Sequence, residues 1–160
     1  MEGKTPAESA STVTLVMQLI HANSAGFIHG GEIMKLVDTT AGVASMRHSN
    51  SRVVTVEVDS LTFLAPVHIG DLVTLEAVVT QAWRTSMEVE VRVKREDPRT
   101  GDQEQTTTAY LTMVAVDENG RPARVPEVLA ETQDDIRRQR EANVRREERI
   151  RVRERLASEA

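Results

Sequence analysis

Asp38 is an acidic residue near the middle of the most apolar helical stretch of the chain, residues 31–48. Asp38 has as its close neighbours Leu36, Val37, Ala41, Val43 and Ala44. With a period of about 3.6 residues, its helical face also carries Gly31, Met34, Gly42 and Ser45. A helix this apolar is typical of a protein interior, so the sequence predicts a buried carboxylate. Such a group is unfavourable unless it is paired, hydrogen-bonded or protonated, and that cost often marks a functional residue.

Two glycines, Gly30 and Gly31, stand where this helix would begin. They let another group approach the backbone closely, and the first turn of a helix offers N–H donors without intrahelical partners. Asp38 follows two turns later. We therefore predict that Asp38 is a general base beside an oxyanion site formed by the two glycines.

Length and composition narrow the class of protein. The 160 residues suffice for one domain with a core, and a net charge of −5 argues against nucleic-acid binding. The absence of cysteine excludes disulfides, a thiol nucleophile and thiolate metal sites. The four histidines show no metal spacing. Val13–Ile20 is too short to span a membrane and lacks signal-peptide flanks, so we expect a cytoplasmic protein without a membrane partner.

The remaining pattern predicts an α+β fold. Residues 1–10 are expected to be a flexible N-terminus, Val13–Ile20 a strand and 31–48 the helix. The period then changes to two, which predicts long antiparallel strands near residues 54–65, 72–83, 87–94 and 106–116. In the strand from Met87, one face is predicted to be buried and the other solvated. To bury a single helix the sheet must curl around it, through glycine kinks and bulges, and mid-helix Gly42 indicates close contact with that sheet.

Residues 11–125 are thus predicted to form one domain, and 126–160 a charged, arginine-rich helix or tail. We interpret this tail as a solvated or partly disordered helix, with an assembly arm as the alternative. Favourable i, i+4 pairs are available at Asp134/Arg138, Glu141/Arg145 and Glu147/Arg151. A thin apolar stripe of Leu129, Ile136 and Ile150 is interrupted by Asn143.

Several separated motifs between residues 10 and 116 resemble a known family. They are Asn23-x-x-Gly26-x-x-His29-Gly30-Gly31, Met34 to Asp38, Ala41-Gly42, Arg47-His48, Val53-Val54-Thr55, Val58-Asp59, Phe63, Pro66, Gly70-Asp71 and Ser86-Met87-Glu88. Together they resemble the brain-type acyl-CoA hydrolases and the short bacterial acyl-CoA thioesterases, which have the hotdog fold, a long central helix wrapped by a curled antiparallel sheet.

The resemblance implies an acyl-CoA thioesterase that releases a free fatty acid and CoA. It implies no cofactor, since CoA is part of the substrate, and a homo-oligomer that is at least a dimer, with a trimer of dimers as the larger form. In that family an asparagine of one unit and an aspartate of another share a site, and Asn23 and Asp38 match them. Gly30 and Gly31 match the oxyanion segment. Thr39 departs from the family pattern, because an acid is common there.

Other roles stay open. Asn23 taken alone would be a turn residue, and His29 is either a base or, as we favour, a residue that fixes its loop. His48 is interpreted as a cation at the helix end. Arg47, Arg84 and Ser86, with His29, are candidate contacts of CoA, although solvated surface explains them nearly as well. The alternative functions are a hotdog dehydratase or hydratase and a non-catalytic acyl-CoA-binding module.

Overall fold

The computed structural model describes residues 1–159 as five strands and three α-helices. The helices are α1 (Pro6–Ser9), α2 (Gly30–Ser49) and α3 (Gln133–Ser158), and the strands are β1 (Ser11–Val16), β2 (Arg52–Phe63), β3 (Leu72–Ala82), β4 (Ser86–Glu96) and β5 (Gln103–Val116). The sheet is antiparallel with the order β1-β3-β4-β5-β2, so β1 and β2 are its edges. Helix α2 packs against all five strands. The predicted α+β class is confirmed.

The core lies between α2 and the inner face of the sheet and is almost wholly aliphatic. Alternate residues of β4 and β5 supply much of it, because successive side chains of a strand point to opposite faces. These buried residues are Met87, Val89, Val91 and Val93 of β4 and Ala109, Leu111, Met113 and Ala115 of β5. Ile33, Val37, Ala41 and Ala44 of α2 pack against this face.

The sheet curves through bulges. Four register shifts interrupt the strand pairs, two of them in β2, between Thr55 and Glu57 and between Val58 and Ser60. The predicted bulges are therefore present, but the predicted glycine kinks are wrong, since all eight glycines lie outside the strands. An extra residue in one strand bends that strand by itself, so glycine is not needed for the curvature.

Only one side of α2 is covered, which corrects the prediction of a fully buried helix. Asp38 is exposed, and Met34 and Met46 on the same side are 46% and 45% exposed. Five strands curve around one side of a helix but do not close over the other. Gly42 also lies on this side, and a Cβ there would meet nothing within 4 Å, so the predicted close contact with the sheet is wrong.

The outer face of β4 is not solvated as predicted, because α3 covers it. Glu88 is fully buried and Glu90 nearly so. The side of α3 that packs on the sheet carries Arg138, Ala142, Arg145 and Arg149, with the 4-3-4 spacing of one helical face. The apolar stripe is not this contact side, since Leu129 and Ile150 are largely exposed.

Arg145 forms the most closely fitted of these contacts. Its Nε and Nη2 donate to the two carboxylate oxygens of Glu88 at 3.0 and 2.7 Å, and its guanidinium lies 3.8 Å from the centre of the Tyr110 ring. Burial opposes the charged form of Arg145, but the hydrogen bonds and charge of Glu88 outweigh it and raise the pKa of Arg145. The expected Glu141/Arg145 pair is absent, because Glu141 accepts from Arg137 instead. The Asp134/Arg138 pair is formed at 2.9 Å.

The N-terminal residues are packed, in contrast to the expected flexible segment. The backbone of Lys4 bonds with Glu127 and Leu129 at 2.9 and 2.8 Å, and a capping box of Thr5 and Glu8 begins α1. Strand β1 ends at Val16, earlier than predicted, where its pairing with β3 ends at Leu72. A 3-10 turn, Leu19–His21, follows.

His48 links these terminal segments and is not the predicted helix-end cation. It is fully buried, with Nε2 3.0 Å from the Pro126 carbonyl oxygen and Nδ1 3.4 Å from Ser9 Oγ. Burial lowers the pKa of His48, and the hydrogen bond to Pro126 only partly offsets this. The imidazole is therefore neutral near pH 7, with Nε2–H donating to the carbonyl.

This arrangement predicts a loss of stability in mild acid. Because the pKa of His48 is lowered on folding from its ordinary 6.5, the unfolded chain binds more protons below that value. The stabilising contribution is present above about pH 6.5 and is lost as the pH falls towards the folded-state pKa. We expect the thermal midpoint to fall between pH 7 and pH 5 more steeply for the native chain than for His48→Gln. Equal slopes in the two proteins would contradict this assignment.

Candidate active site

Asp38 lies beside the edge strand β2 and has one side-chain partner there. Thr55 Oγ1 donates to Asp38 Oδ1 at 2.5 Å, a length typical of a hydroxyl bonded to a carboxylate. Within residues 1–159 the other carboxylate oxygen has no hydrogen-bond partner. One oxygen is thus fixed by the protein, and the other is available to accept a proton.

Thr55 is a site residue that the sequence analysis did not single out. Its strand contains a run of β-branched residues, and nothing in the sequence distinguishes Thr55 from the other positions of that run. Thr55 pairs with Met113, on the core face, immediately before the first bulge of β2. The bulge decides which side chain faces α2, and no simple alternation of the sequence reports its position.

The side-chain oxygen of Asn23 holds its own loop, and within residues 1–159 the side-chain nitrogen is free for a ligand. Its Oδ1 accepts from the N–H groups of Ala25 and Phe27 at 2.9 and 3.2 Å, which confirms the turn role that an asparagine in such a loop suggests. The backbone closes the same loop, with Asn23 N–H donating to the Phe27 carbonyl at 2.7 Å. Because the amide oxygen is occupied, the amide nitrogen Nδ2 is the donor that remains for a ligand.

His29 caps α2, as the favoured structural interpretation predicted. Its Nδ1 accepts from Gly31 N–H at 2.9 Å, so in the neutral ring the proton lies on Nε2. This bond uses one of the two N–H groups predicted for the oxyanion site. Of the glycine pair, only Gly30 retains an N–H without an acceptor in the described residues.

An apolar cavity of about 370 Å³ adjoins Gly30. Its walls include Phe27, Ile28, Ile33, Phe63 and Val67. A Cβ at position 30 would meet the Phe63 ring at 3.3 Å, so the glycine keeps the backbone open towards this space. A larger cavity of about 610 Å³ lies around His68. Its arginines, Arg95 and Arg99, already pair with acids, so we regard the apolar cavity as the better fit to an acyl group.

The other predicted contacts lie apart from Gly30 within one chain. Arg47 donates to the Ala10 carbonyl at 2.6 Å and holds the N-terminal segment. Arg84 is exposed in the β3–β4 turn, and Ser86 Oγ accepts from Arg146 at 3.5 Å. Ser86 is in register, through Val114, with the start of β2, whereas Gly30 adjoins Phe63 at its end. Their role as CoA contacts stays a prediction.

Asp38 and Gly30 are also separated. Asp38 follows Gly30 by eight residues on one helix, which is about 12 Å of axial rise. A thioester carbonyl bonded to the first helical turn would therefore reach the carboxylate of the same chain only through an extended water bridge. Two chains with facing sites would shorten this path.

Within residues 1–159, no cluster of three acidic or histidine side chains suits a metal ion. The same residues contain no helix with the length and hydropathy that crossing a membrane requires.

Comparison with known proteins identifies relatives of this chain. Residues 25–101 match the family model described as the thioesterase superfamily. An uncharacterized acyl-CoA thioester hydrolase of Bacillus subtilis, YkhA, is 39% identical over 117 residues, which is 73% of this chain and 68% of that protein.

Solved structures extend the likeness to nearly the full chain. A hexameric acyl-CoA thioesterase has a TM-score of 0.91 at 38% identity, over 94% of this chain and 97% of that chain. An acyl-CoA hydrolase of Staphylococcus aureus, in complex with butyryl coenzyme A, has a TM-score of 0.87 at 30% identity, over 97% and 96%. Structures of that hydrolase also exist with an asparagine, an aspartate or a threonine replaced by alanine.

The capping role of His29 gives a test that is independent of any activity. His29→Ala removes the acceptor for Gly31 N–H and should destabilise the protein by about 1 kcal/mol. His29→Asn restores a preferred capping residue and should recover most of that loss. Chemical denaturation measures both. If the two variants are equally stable, the Nδ1 bond to Gly31 contributes nothing, and Gly31 N–H is free for a ligand.

Proposed function

This chain belongs to the thioesterase superfamily, and we propose that it hydrolyses an acyl-CoA to a free fatty acid and CoA. The observation that carries the proposal is the Thr55–Asp38 hydrogen bond, together with the spacing of Asn23 from Asp38 in the sequence. In the Staphylococcus aureus hydrolase, 15 residues separate the replaced asparagine from the replaced aspartate, and 17 separate the aspartate from the threonine. Asn23, Asp38 and Thr55 have the same two spacings.

Asp38 would be the general base. Thr55 holds one carboxylate oxygen, and the other would accept a proton from a water molecule as the water oxygen attacks the thioester carbonyl carbon. The tetrahedral intermediate then breaks its carbon–sulfur bond. A thiol such as that of cysteine has a pKa of about 8.5, so the CoA thiolate is a good leaving group that needs no strong acid. The proton held by Asp38 finally returns to the thiolate or to solvent.

The negative charge on the carbonyl oxygen would be stabilised at the start of α2. Gly30 N–H is the donor that the His29 cap leaves free, and the positive end of the α2 dipole adds to it. Asn23 Nδ2 is the second donor we assign. Gly31 N–H is thereby removed from the predicted pair of oxyanion donors, because it already donates to His29. The apolar cavity beside Gly30 would hold the acyl group.

The complete site would lie between two chains. The edge strand β2 exposes backbone donors and acceptors together with Val54, Val56 and Val58, and such edges pair readily with a second copy. A two-fold pair would place the exposed Asp38 side of one α2 opposite the glycine end of the other. The relative with a TM-score of 0.91 is hexameric, which fits the expected trimer of dimers.

The alternatives gain no support from the geometry. A dehydratase or hydratase would need His29 as a catalytic base, but His29 Nδ1 is occupied as a helix cap. A non-catalytic acyl-CoA-binding module has no need for the Thr55–Asp38 pair. A cytoplasmic location and the absence of a cofactor stay predictions.

Removal of the base should separate turnover from binding. Asp38→Asn keeps the size of the side chain and should reduce kcat by roughly 10²–10⁴-fold, because it removes general-base catalysis. Glu32→Gln, on the same helix, is the matched control and should retain activity. Hydrolysis of acyl-CoAs from acetyl to palmitoyl measures both. Native activity in folded Asp38→Asn protein would sink the assignment of the base.

Subunit mixing tests the shared site. Asn23→Ala and Asp38→Ala proteins, each expected to be inactive, are dissociated reversibly and reassociated together. A mixed dimer then has one site with both defects and one intact site. Random exchange makes half of the dimers mixed, so about a quarter of native activity should return. If verified exchange restores nothing above the two parents, both residues act within one chain.

A further inference from the structure

The edge strand β2 is irregular at the place where it carries Thr55. Register is lost once between Thr55 and Glu57 and again between Val58 and Ser60. A bulge turns the side chains that flank it, and an edge strand has a neighbour on one side only. Within one chain, pairing with β5 therefore fixes the direction of the Thr55 hydroxyl less firmly than it would in a central strand.

Helix α3 contacts β2 at both register shifts, from the outer face of the sheet. Arg149 is 11% exposed, and its Nη1 lies 3.0 Å from Asp59 Oδ2. Its Nε lies 3.8 Å from Glu57 Oε2, which also accepts from Arg153 Nη2 at 2.5 Å. Glu57 directly follows the first irregularity, and Asp59 lies within the second.

Thr55 and Glu57 point to opposite sides of the sheet. Thr55 pairs with Met113, whose side chain lies in the core, while Glu57 pairs with Thr112 beneath α3. Only Val56 separates them. The acids that contact α3 thus lie within four residues of Thr55, whose side chain faces α2 and Asp38 on the other side of the sheet.

We propose that Arg149 is a positioning residue for hydrolysis: by holding Glu57 and Asp59 it fixes the bulged segment of β2 and keeps Thr55 bonded to Asp38. This inference rests on the proposed function. It also revises the expectation that the arginine-rich tail is solvated. Arg149 contacts Glu57 and Asp59 of β2, and Thr55 of the same strand bonds to Asp38.

Arg145 supplies a matched control on the same helix. It is also largely buried and also pairs with a buried acid, but its partner Glu88 lies on β4, a central strand held by neighbours on both sides. Loss of Arg145 should lower stability, since the buried Glu88 would keep only the Thr80 hydroxyl at 2.8 Å and the more distant Arg149 Nη1 at 3.8 Å. It should not alter the direction of Thr55.

The first experiment compares Arg149→Met with Arg145→Met in the full-length protein, by steady-state kinetics and thermal unfolding. We expect Arg149→Met to reduce kcat roughly tenfold, with KM within about twofold, because a small misplacement of a catalytic group has a large effect on rate. Arg145→Met should lower the thermal midpoint while kcat stays near the native value. Unchanged kcat in folded Arg149→Met, or an equal loss of kcat in both variants, would overturn the proposal.

The second experiment does not depend on the stability of Arg149→Met. The double variant Glu57→Gln/Asp59→Asn removes the charges from β2, leaves α3 intact, and should reproduce the loss of kcat. In a Thr55→Val background, where the hydroxyl is already absent, Arg149→Met should reduce kcat little further, whereas independent effects would multiply. Multiplying effects would reject the inference. Native activity in Asp38→Asn would instead reject the proposed function.

Discussion

The structure depends on one geometric constraint: a single five-stranded sheet covers only one side of its central helix. Ile33, Val37 and Ala41 are buried on the covered side, and Asp38 is exposed on the other with Met34. The carboxylate thus lies beside an edge strand, where a second chain can reach it. This explains why a helix with many apolar residues is not enclosed within one chain, and why we place only half of a site in each subunit.

On the outer face of the sheet, α3 packs through charged side chains. Glu88 would be strongly destabilising if it were buried alone, and the bidentate contact from Arg145 satisfies it. Guanidinium groups also stack on the few aromatic rings, Tyr110 at 3.8 Å and Trp83 at 4.3 Å. A helix without a continuous apolar stripe therefore packs firmly, because its arginines match a row of acids on the strands.

The chemistry assigned to the site requires few groups, and several of them also hold the local structure together. Asn23 uses its amide oxygen to close a loop and keeps its amide nitrogen free, while His29 caps the helix whose first free N–H belongs to Gly30. A thiolate leaves easily, so one base and two donors suffice. Substitutions at Asn23 or His29 will consequently change the shape of the site as well as its contacts.

The sequence by itself determined the α+β class, the bounds of α2 to within a residue or two, and the order of the strands along the chain. These follow from local periodicity, which side-chain spacing encodes directly. It also singled out Asp38, Asn23 and the glycine pair, partly through resemblance to a family. The exposure of Asp38 could not be predicted, because apolar content does not tell whether a sheet or a second chain covers a helix face.

Tertiary structure alone decided the remaining features. Thr55 faces Asp38 because a bulge shifts the register of β2. The alternation of residues in the sequence does not reveal one inserted residue. Three arginines of α3, Arg138, Arg145 and Arg149, are largely buried rather than solvated, since they pair with acids of β2 and β4, far away in the sequence. Each of these depends on contacts between distant segments, which local patterns do not specify.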